Sequence, residues 1–383
     1  TEYWEIVGGV PVFRSCREIA ETTPEIFLGS ECIVFVGQPV TVATRGLAAI
    51  SLKEPVDGVV LTGAEISADR SASVTLVATG IWGAVSEKTV QLTVAVGELN
   101  DHSDERLFDY ELGSESVTFS LPQGISDIVR LFVGTSVYFD KNDGFTVSGG
   151  TVTIEKSLLE SVSKTYGDYT VTFTDGTDYY TYACSFVTKV INSLADLESI
   201  RTTGDTLDGY FILGQSFTAN NDAAMQNLIG TWSSDANKGF VGIFDGRGHS
   251  ITGLKLTEKG LFRCMGKCVV RNLALVDVEV ETDSELGYAC AVFGNADCQS
   301  TTFENLFVST NARSMFRNAF RNINVKNVVF VSTAQEGGYL SESGNNDNSG
   351  SYTIENTIVV GKGEFGYYGG TPTLINTAVY ASV

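Results

Sequence analysis

The chain is short of basic residues. It has 25 Lys and Arg against 46 Asp and Glu, a formal charge of −21. A chain this acidic repels phosphate backbones and anionic lipid, which argues against nucleic-acid binding and a polybasic membrane anchor. Charged residues of both signs make up only 19% of the chain, below the usual quarter, while 43% is hydrophobic, so a disordered protein is excluded. No apolar run approaches the roughly 18 residues of a spanning helix. Pro (6), Met (3) and His (2) are scarce. With only His102 and His249, zinc sites find little support. What is plentiful is Gly (40) together with Tyr, Phe, Val and Thr, a composition that favours strands. The seven cysteines are an odd number, so at least one is free unless it pairs between chains. The opening Thr1-Glu2-Tyr3-Trp4 is neither an initiator Met nor a targeting segment, and the chain reads as a processed or excised part of something longer.

Residues 20–98 alternate small or apolar with polar positions, and Asp57-Gly58 and 68–71 supply turns, which predicts a β-sandwich. The polar stretch 99–109 reads as a linker. Its Asn100, Asp101, Asp104 and Glu105 could offer oxygen ligands to calcium, or form a solvated acidic joint. Residues 110–190 repeat the strand pattern, with 142–144 and Asp175-Gly176 as turns and one helical piece over 156–163. This segment, above all 167–176, resembles the Ig-like modules of bacterial surface and carbohydrate-active proteins; residues 20–98 resemble them more faintly.

From 191 onward the pattern changes. A short helix is expected over 192–200, with Ser193 as its cap and Leu194, Leu197 and Ile200 on one face. A phrase then recurs: apolar, any residue, Asn, then several apolar residues. Its Asn members are Asn272, Asn305, Asn327, Asn356 and Asn376, at steps of 33, 22, 29 and 20 residues, with Gly253 as an earlier copy. Phe244, Phe262, Phe293, Phe316 and Phe365 each precede a member of that row by 9 to 12 residues. Two rows in phase at one-coil spacing are what a parallel β-helix requires, because coils stacked about 4.8 Å apart bring identical side chains into register. Stacked Asn can hydrogen-bond along the axis and stacked Phe can fill the interior. Insertions such as 341–350 belong to outside loops.

Phe240, Gly242, Phe244, Asp245, Gly246, Gly248, His249, Ile251 and Leu254, followed by Gly260-Leu261-Phe262, fit the phrase F-x-G-x-F-D-G-x-G-H-x-I-x-x-L and then G-L-F. In this the last half of the chain resembles the GLUG-type right-handed β-helix repeats of bacterial surface proteins, departing where Arg263 replaces the usual Gly. The resemblance implies the fold and says little about activity.

Among candidate sites, Asp245 and His249, with Asp235 nearby, look like an acid–base pair. The structural alternative, a Gly-rich turn with Asp as its cap, is preferred. The acids Asp277, Glu279, Glu281, Asp283 and Glu285 run along one strand and its loop with no Arg or Lys answering them, so the facing carboxylates of a glycosidase are not expected. Cys268 and Cys298 fall near one register on adjacent coils and could form a disulfide, a buried thiol being the alternative.

The expected architecture is all-β: an N-terminal strand segment (1–19), an Ig-like sandwich (20–98), a linker (99–109), a second Ig-like sandwich (110–190), and a capping helix with a right-handed parallel β-helix (191–383). Expected too is a non-catalytic extracellular structural or adhesive protein of the bacterial cell surface. Tyr3, Trp4, Ile6, Pro11 and Phe13 would complete the β-helix of a neighbouring copy, giving a head-to-tail homopolymer. No cofactor is expected apart from calcium at 99–109. The rivals are a glycan-binding or glycan-cleaving module of a cell-wall enzyme, with host or cell-wall glycans as partners, and a phage fibre component.

Overall fold

A computed structural model of the chain describes residues 4–7, 10–13, 23–36, 38–45, 48–80, 83–95, 97–134, 138–231, 235, 237–281, 291–294, 300–317, 323–334, 338–342, 352–361, 366–367 and 373–381. The protein is all-β: among the described elements, strands are interrupted by only two short helices. It divides into two compact units, Thr1–Phe186 and Val187–Val383.

The first unit opens with an antiparallel hairpin of Trp4–Val7 on Val10–Phe13, with Trp4 opposite Phe13 and Val7 opposite Val10. It forms a two-stranded sheet of its own. Tyr3 lies outside the described residues, and only the backbone of Trp4, Ile6, Pro11 and Phe13 is described.

Next comes a sandwich. One sheet runs Glu31–Val34, Val85–Val94, Ala72–Gly80, Ala48–Leu52; facing it are a three-stranded sheet of Val40–Thr41, Glu65–Ala68 and Val59–Thr62 and the pair Glu25–Phe27 with Ala43–Arg45. Alternation explains the burial. In Ala72–Gly80, Val74, Leu76 and Ala78 point inward and join Ile26, Val34, Ile66, Val90 and Leu92 in one core.

The following sheet runs Leu99–Glu111, Tyr179–Val187, Gly167–Thr174, Arg130–Val133, Tyr138–Asp140, opposite Ser116–Ser120, Thr151–Glu155 and Phe145–Ser148. Its core holds Phe108, Tyr110, Phe145, Phe173 and Phe186, and the helix Lys156–Val162 adds Leu158 and Leu159. Residues 99–109, expected to be a linker, are instead the greater part of an edge strand. The charge that suggested a loop suits an edge, where charged side chains discourage pairing with other chains. The same strand buries Phe108 and Tyr110. Calcium ligands do not converge there. Asn100 Nδ2 donates to Tyr179 O, Asp101 accepts from Ser103 N–H, and Glu105 sits 3.0 Å from His102, whose ring stacks on Tyr182. Among the described residues no group of three or more His, Cys, Asp or Glu side chains could hold a metal.

The second unit begins with Lys189–Ile191 and the helix Leu194–Ser199. Ser193 caps the helix, accepting from Asp196 N–H at 3.2 Å, and Leu197 enters the core. The backbone N–H of Asn192 and the hydroxyl of Ser193 donate to the Asp196 carboxylate and hold its pKa below the ordinary value. A depressed carboxylate contributes stability above its unfolded pKa of about 3.9, and loses it as pH falls through the lower, folded value. Ser193→Ala should therefore cost about 1 kcal/mol at neutral pH. As pH falls through the folded pKa of Asp196 that cost should shrink, which urea unfolding at pH 7 and at a descending series of acid pH values would check.

Every strand pairing described in this unit is parallel. Lys189, Phe211, Phe244, Val270, Phe303, Val325, Ile354 and Leu374 fall opposite one another in succession. Beside them a second lane pairs Ser314–Arg317, Tyr339–Glu342 and Gly366–Tyr367. The chain thus returns to the same place one strand further on at each pass. One continuous core fills the space between lanes, from Ile191 and Leu197 to Ile354 and Val359.

Phe244, Phe262, Phe293 and Phe316 enter that core but do not form a single row. Phe244 sits opposite Phe211 and Val270, in the column two residues before the Asn positions. Phe293 falls opposite Phe316 by the bridge of Ala291 to Ser314. Leu261 N–H donates to Val292 O, which leaves Phe262 one residue out of that register. Phe316 is followed by Ser341. Phe365 lies outside the described residues. Rings meet across lanes instead: Phe240 stacks on Phe262 at 4.3 Å, and Phe303 on Phe316 at 5.0 Å. A closed interior demands volume rather than one residue type, so Phe and Val alternate along a column.

Candidate functional site

The most organised polar feature of the second unit is a ladder on the surface of the parallel stack. Asn272, Asn305, Asn327, Asn356 and Asn376 all have φ between +48° and +54°. That left-handed backbone is costly for most side chains but tolerated by Asn. It lets two successive residues point outward, here Arg271 and Asn272, while Val270 and Leu273 on either side both point in. Asn therefore recurs because each pass needs a bend at this place. Asn305 Nδ2 donates to Asn272 Oδ1 at 2.9 Å, Asn327 to Asn305 at 2.8 Å, Asn356 to Asn327 at 3.1 Å, and Asn376 to Asn356 at 3.3 Å.

The position before Asn272 is held by Gly246, not Gly253. Asp245 pairs with Arg271, and a Cβ on Gly246 would lie 2.4 Å from Asn272 O. Gly253 instead follows the pairing of Thr252 with Val276, opposite Asp277, and both have positive φ. Sequence spacing alone cannot separate these glycines, since both sit in one Gly-rich phrase.

The ladder ends on Asp245, whose side chain is fully buried. Its Oδ1 accepts from Asn272 Nδ2 at 3.1 Å and from the backbone N–H of Arg247 at 2.9 Å. Its Oδ2 accepts from Arg271 Nε at 2.8 Å and from the Tyr210 hydroxyl at 3.3 Å, with the Arg247 guanidinium 3.6 Å away. Both guanidiniums lie over the Tyr210 ring, at 5.4 and 5.8 Å from its centre. The carboxylate is thus surrounded by donors on chain segments from three passes. His249 contributes backbone bonds, to Gly246 O and from Ala274 N–H, and no described hydrogen bond joins its ring to Asp245. Asp235 hydrogen-bonds Asn237 and Lys238 locally. The arrangement fastens passes together. Arg271 was not singled out from the sequence, and its signal was only its place beside the first Asn.

The acidic run 277–285 is answered by a base after all: Glu279 pairs with Lys255 across adjacent strands, at 3.7 Å. Asp277 accepts from Ser309 Oγ at 3.2 Å, and 283 and 285 lie outside the described residues. Cys268 is a buried free thiol within 4.0 Å of Thr301 Oγ1, while Cys298 lies outside the described residues. Burial pushes the Cys268 and Cys184 thiols up to about 12 and Cys32 to about 11. The thiolate is the reactive form, so Cys32, Cys184 and Cys268 should resist alkylation at pH 8 until the chain unfolds, and burial should shield Cys264 from the reagent likewise. Peptide mapping by mass spectrometry after native labelling checks this, and rapid labelling of any of the four would contradict it.

Among the described residues no helix is long and apolar enough to cross a membrane.

No known protein family matches the chain, and no curated protein matches its sequence. Solved structures give faint likenesses. Drosophila N-cadherin EC1-4 is 11% identical over 43% of this chain and 49% of that one, TM-score 0.18. Human protocadherin-24 EC1-2 is 10% identical over 44% and 99%, TM-score 0.18. The Bacteroides ovatus mixed-linkage glucan utilization locus protein SGBP-B, with a bound heptasaccharide, is 15% identical over 41% and 46%, TM-score 0.15. The match thus spans about half of the N-cadherin chain. At these scores the likenesses carry no argument about function.

Proposed function

We propose that the chain is a non-catalytic, extracellular structural module of a bacterial surface fibre, built from two Ig-like sandwiches and a right-handed parallel β-helix of the GLUG type. The observation that carries the reading is the in-register parallel stack with its unbroken Asn ladder. Such a stack gives a stiff rod whose cross-section repeats, and rods of this kind serve as spacers and fibre units. Two surfaces support head-to-tail assembly. The pass over 373–381 leaves Leu374 47% and Tyr380 57% exposed, whereas Ile354 and Val359 in the preceding pass are buried. The hairpin 4–13 forms a sheet with no third described strand. Addition of this hairpin from a neighbouring copy to the 373–381 pass would cover the apolar side chains and pair the strand edge. The contact is heterologous, so it propagates into a filament.

The test is deletion of residues 1–13 followed by negative-stain microscopy and light scattering. Loss of end-to-end assemblies, with folded subunits retained, supports the proposal. Unchanged assemblies would overturn the role of the hairpin, and an absence of assemblies in the intact chain would overturn the fibre.

One observation favours a second reading, a glycan-binding module of a cell-wall-associated enzyme. The first unit carries an open groove of about 920 Å³ lined by Phe27, Lys88, Ser103, Arg106, Asp168 and Tyr169. An exposed aromatic ring beside charged groups suits a sugar ring with its hydroxyls. A glycan array and a reducing-sugar assay decide between the readings.

A further inference from the structure

We propose that Asp245 sets the direction of every amide in the Asn ladder, acting as a positioning residue through four further passes of the chain. A ladder of identical side chains has no direction of its own. Each amide, by its own chemistry, could donate to the pass before it or to the pass after it, since a carboxamide carries both a donor and an acceptor. Yet all five Nδ2 groups donate the same way, toward the earlier pass. The first acceptor explains this. An ionised carboxylate only accepts, so Asn272 must present its NH2 to Asp245 and turn its Oδ1 toward Asn305. Asn305 then has a carbonyl to meet and must do the same, and so on to Asn376. A reversed rung would set oxygen against oxygen on one side and NH2 against NH2 on the other. Hydrogen bonds in a chain polarise one another, which sharpens the preference.

Asp245 is fitted for this by its surroundings. Arg271 Nε, Arg247 N–H and the Tyr210 hydroxyl hold it in place, and Arg271 Nη2 in turn donates to the Tyr210 hydroxyl at 2.8 Å. One other carboxylate touches the ladder among the described residues: Glu355 Oε1 lies 3.4 Å from Asn356 Nδ2. The test removes it, so that direction above a cut can come only from below.

The experiment uses isotope-labelled full chain carrying Glu355→Ala, with and without Asn305→Gly. Glycine keeps the left-handed backbone available while deleting the amide. Scalar couplings across hydrogen bonds, from Asn Nδ2 to the carboxamide or carboxylate carbon of the pass before, report direction rung by rung. In Glu355→Ala alone, all five couplings should point toward Asp245. With Asn305→Gly added, the coupling from Asn272 to Asp245 should persist, while Asn327, Asn356 and Asn376 should lose their one-way couplings, showing either two sets of side-chain resonances or one set averaged over both directions. A single set above the cut with the original direction would overturn the proposal, as would couplings running away from Asp245 in the uncut ladder. Should the Asn305→Gly chain fail to fold, Asn327→Gly cuts the ladder one rung later, with the same expectation for Asn356 and Asn376.

Discussion

Replacing Asp245 with alanine should destabilise the parallel unit by about 3–5 kcal/mol, the usual cost of removing one partner from a buried ion pair. The cost arises from what is left behind. Arg271 Nε, the Tyr210 hydroxyl and Asn272 Nδ2 would lose an acceptor that is itself fully buried. Asp245→Asn should cost less, because the side chain keeps its shape and one acceptor oxygen, though its NH2 must face a donor. Urea unfolding monitored by circular dichroism measures both. A loss below about 1 kcal/mol for Asp245→Ala would mean that the cluster is solvated and not a fastening. His249→Ala should lie within the ordinary range of a surface change, about 0.5 kcal/mol, since its described bonds are made by the backbone.

Phe303→Ala should cost a similar amount, about 3–5 kcal/mol, for a different reason. Phe303 is fully buried and its ring meets Phe293 at 5.3 Å and Phe316 at 5.0 Å. Its removal opens a cavity between two lanes, and neither lane can close it without breaking strand register. Phe303→Leu should recover most of the loss. If Phe303→Ala unfolds at the same urea concentration as the parent, the interior of this unit is not close-packed.

The Asn recurrence was legible because one backbone requirement, a left-handed bend at each pass, admits few residues. The Phe recurrence misled because an interior admits many. Phe244 looked like a partner of Phe262 by spacing, yet the structure sets it against Val270, since a column accepts either side chain. The same logic explains the acidic stretch 99–109. Its charges lie on an edge strand, and charge density says nothing of whether the backbone between charges is paired. The N-terminal segment reads in sequence as one closing strand, but Gly8-Gly9 between two apolar runs is a hairpin signal, and Trp4–Val7 pairs antiparallel with Val10–Phe13. The Asp245 turn was recognisable as structural. Its partners Tyr210, Arg271 and Asn272 were not, because they come from 35 residues before it and 26 and 27 after it.

The residues just before the Asn positions carry a further consequence. Asp245, Arg271, Glu304, Lys326 and Glu355 lie opposite one another in that order, so charge alternates sign at each pass. Such a column has parity. Removing a single pass, for instance the one bearing Glu304, would set Arg271 against Lys326. Removing two neighbouring passes, those bearing Glu304 and Lys326, would set Arg271 against Glu355 and leave the alternation whole. Lengthening or shortening of this parallel stack is therefore easiest in steps of two, and a variant with an odd change would need a compensating substitution in the column. The natural unit of the stack, judged by charge, is a pair of passes, although the backbone repeats with every one.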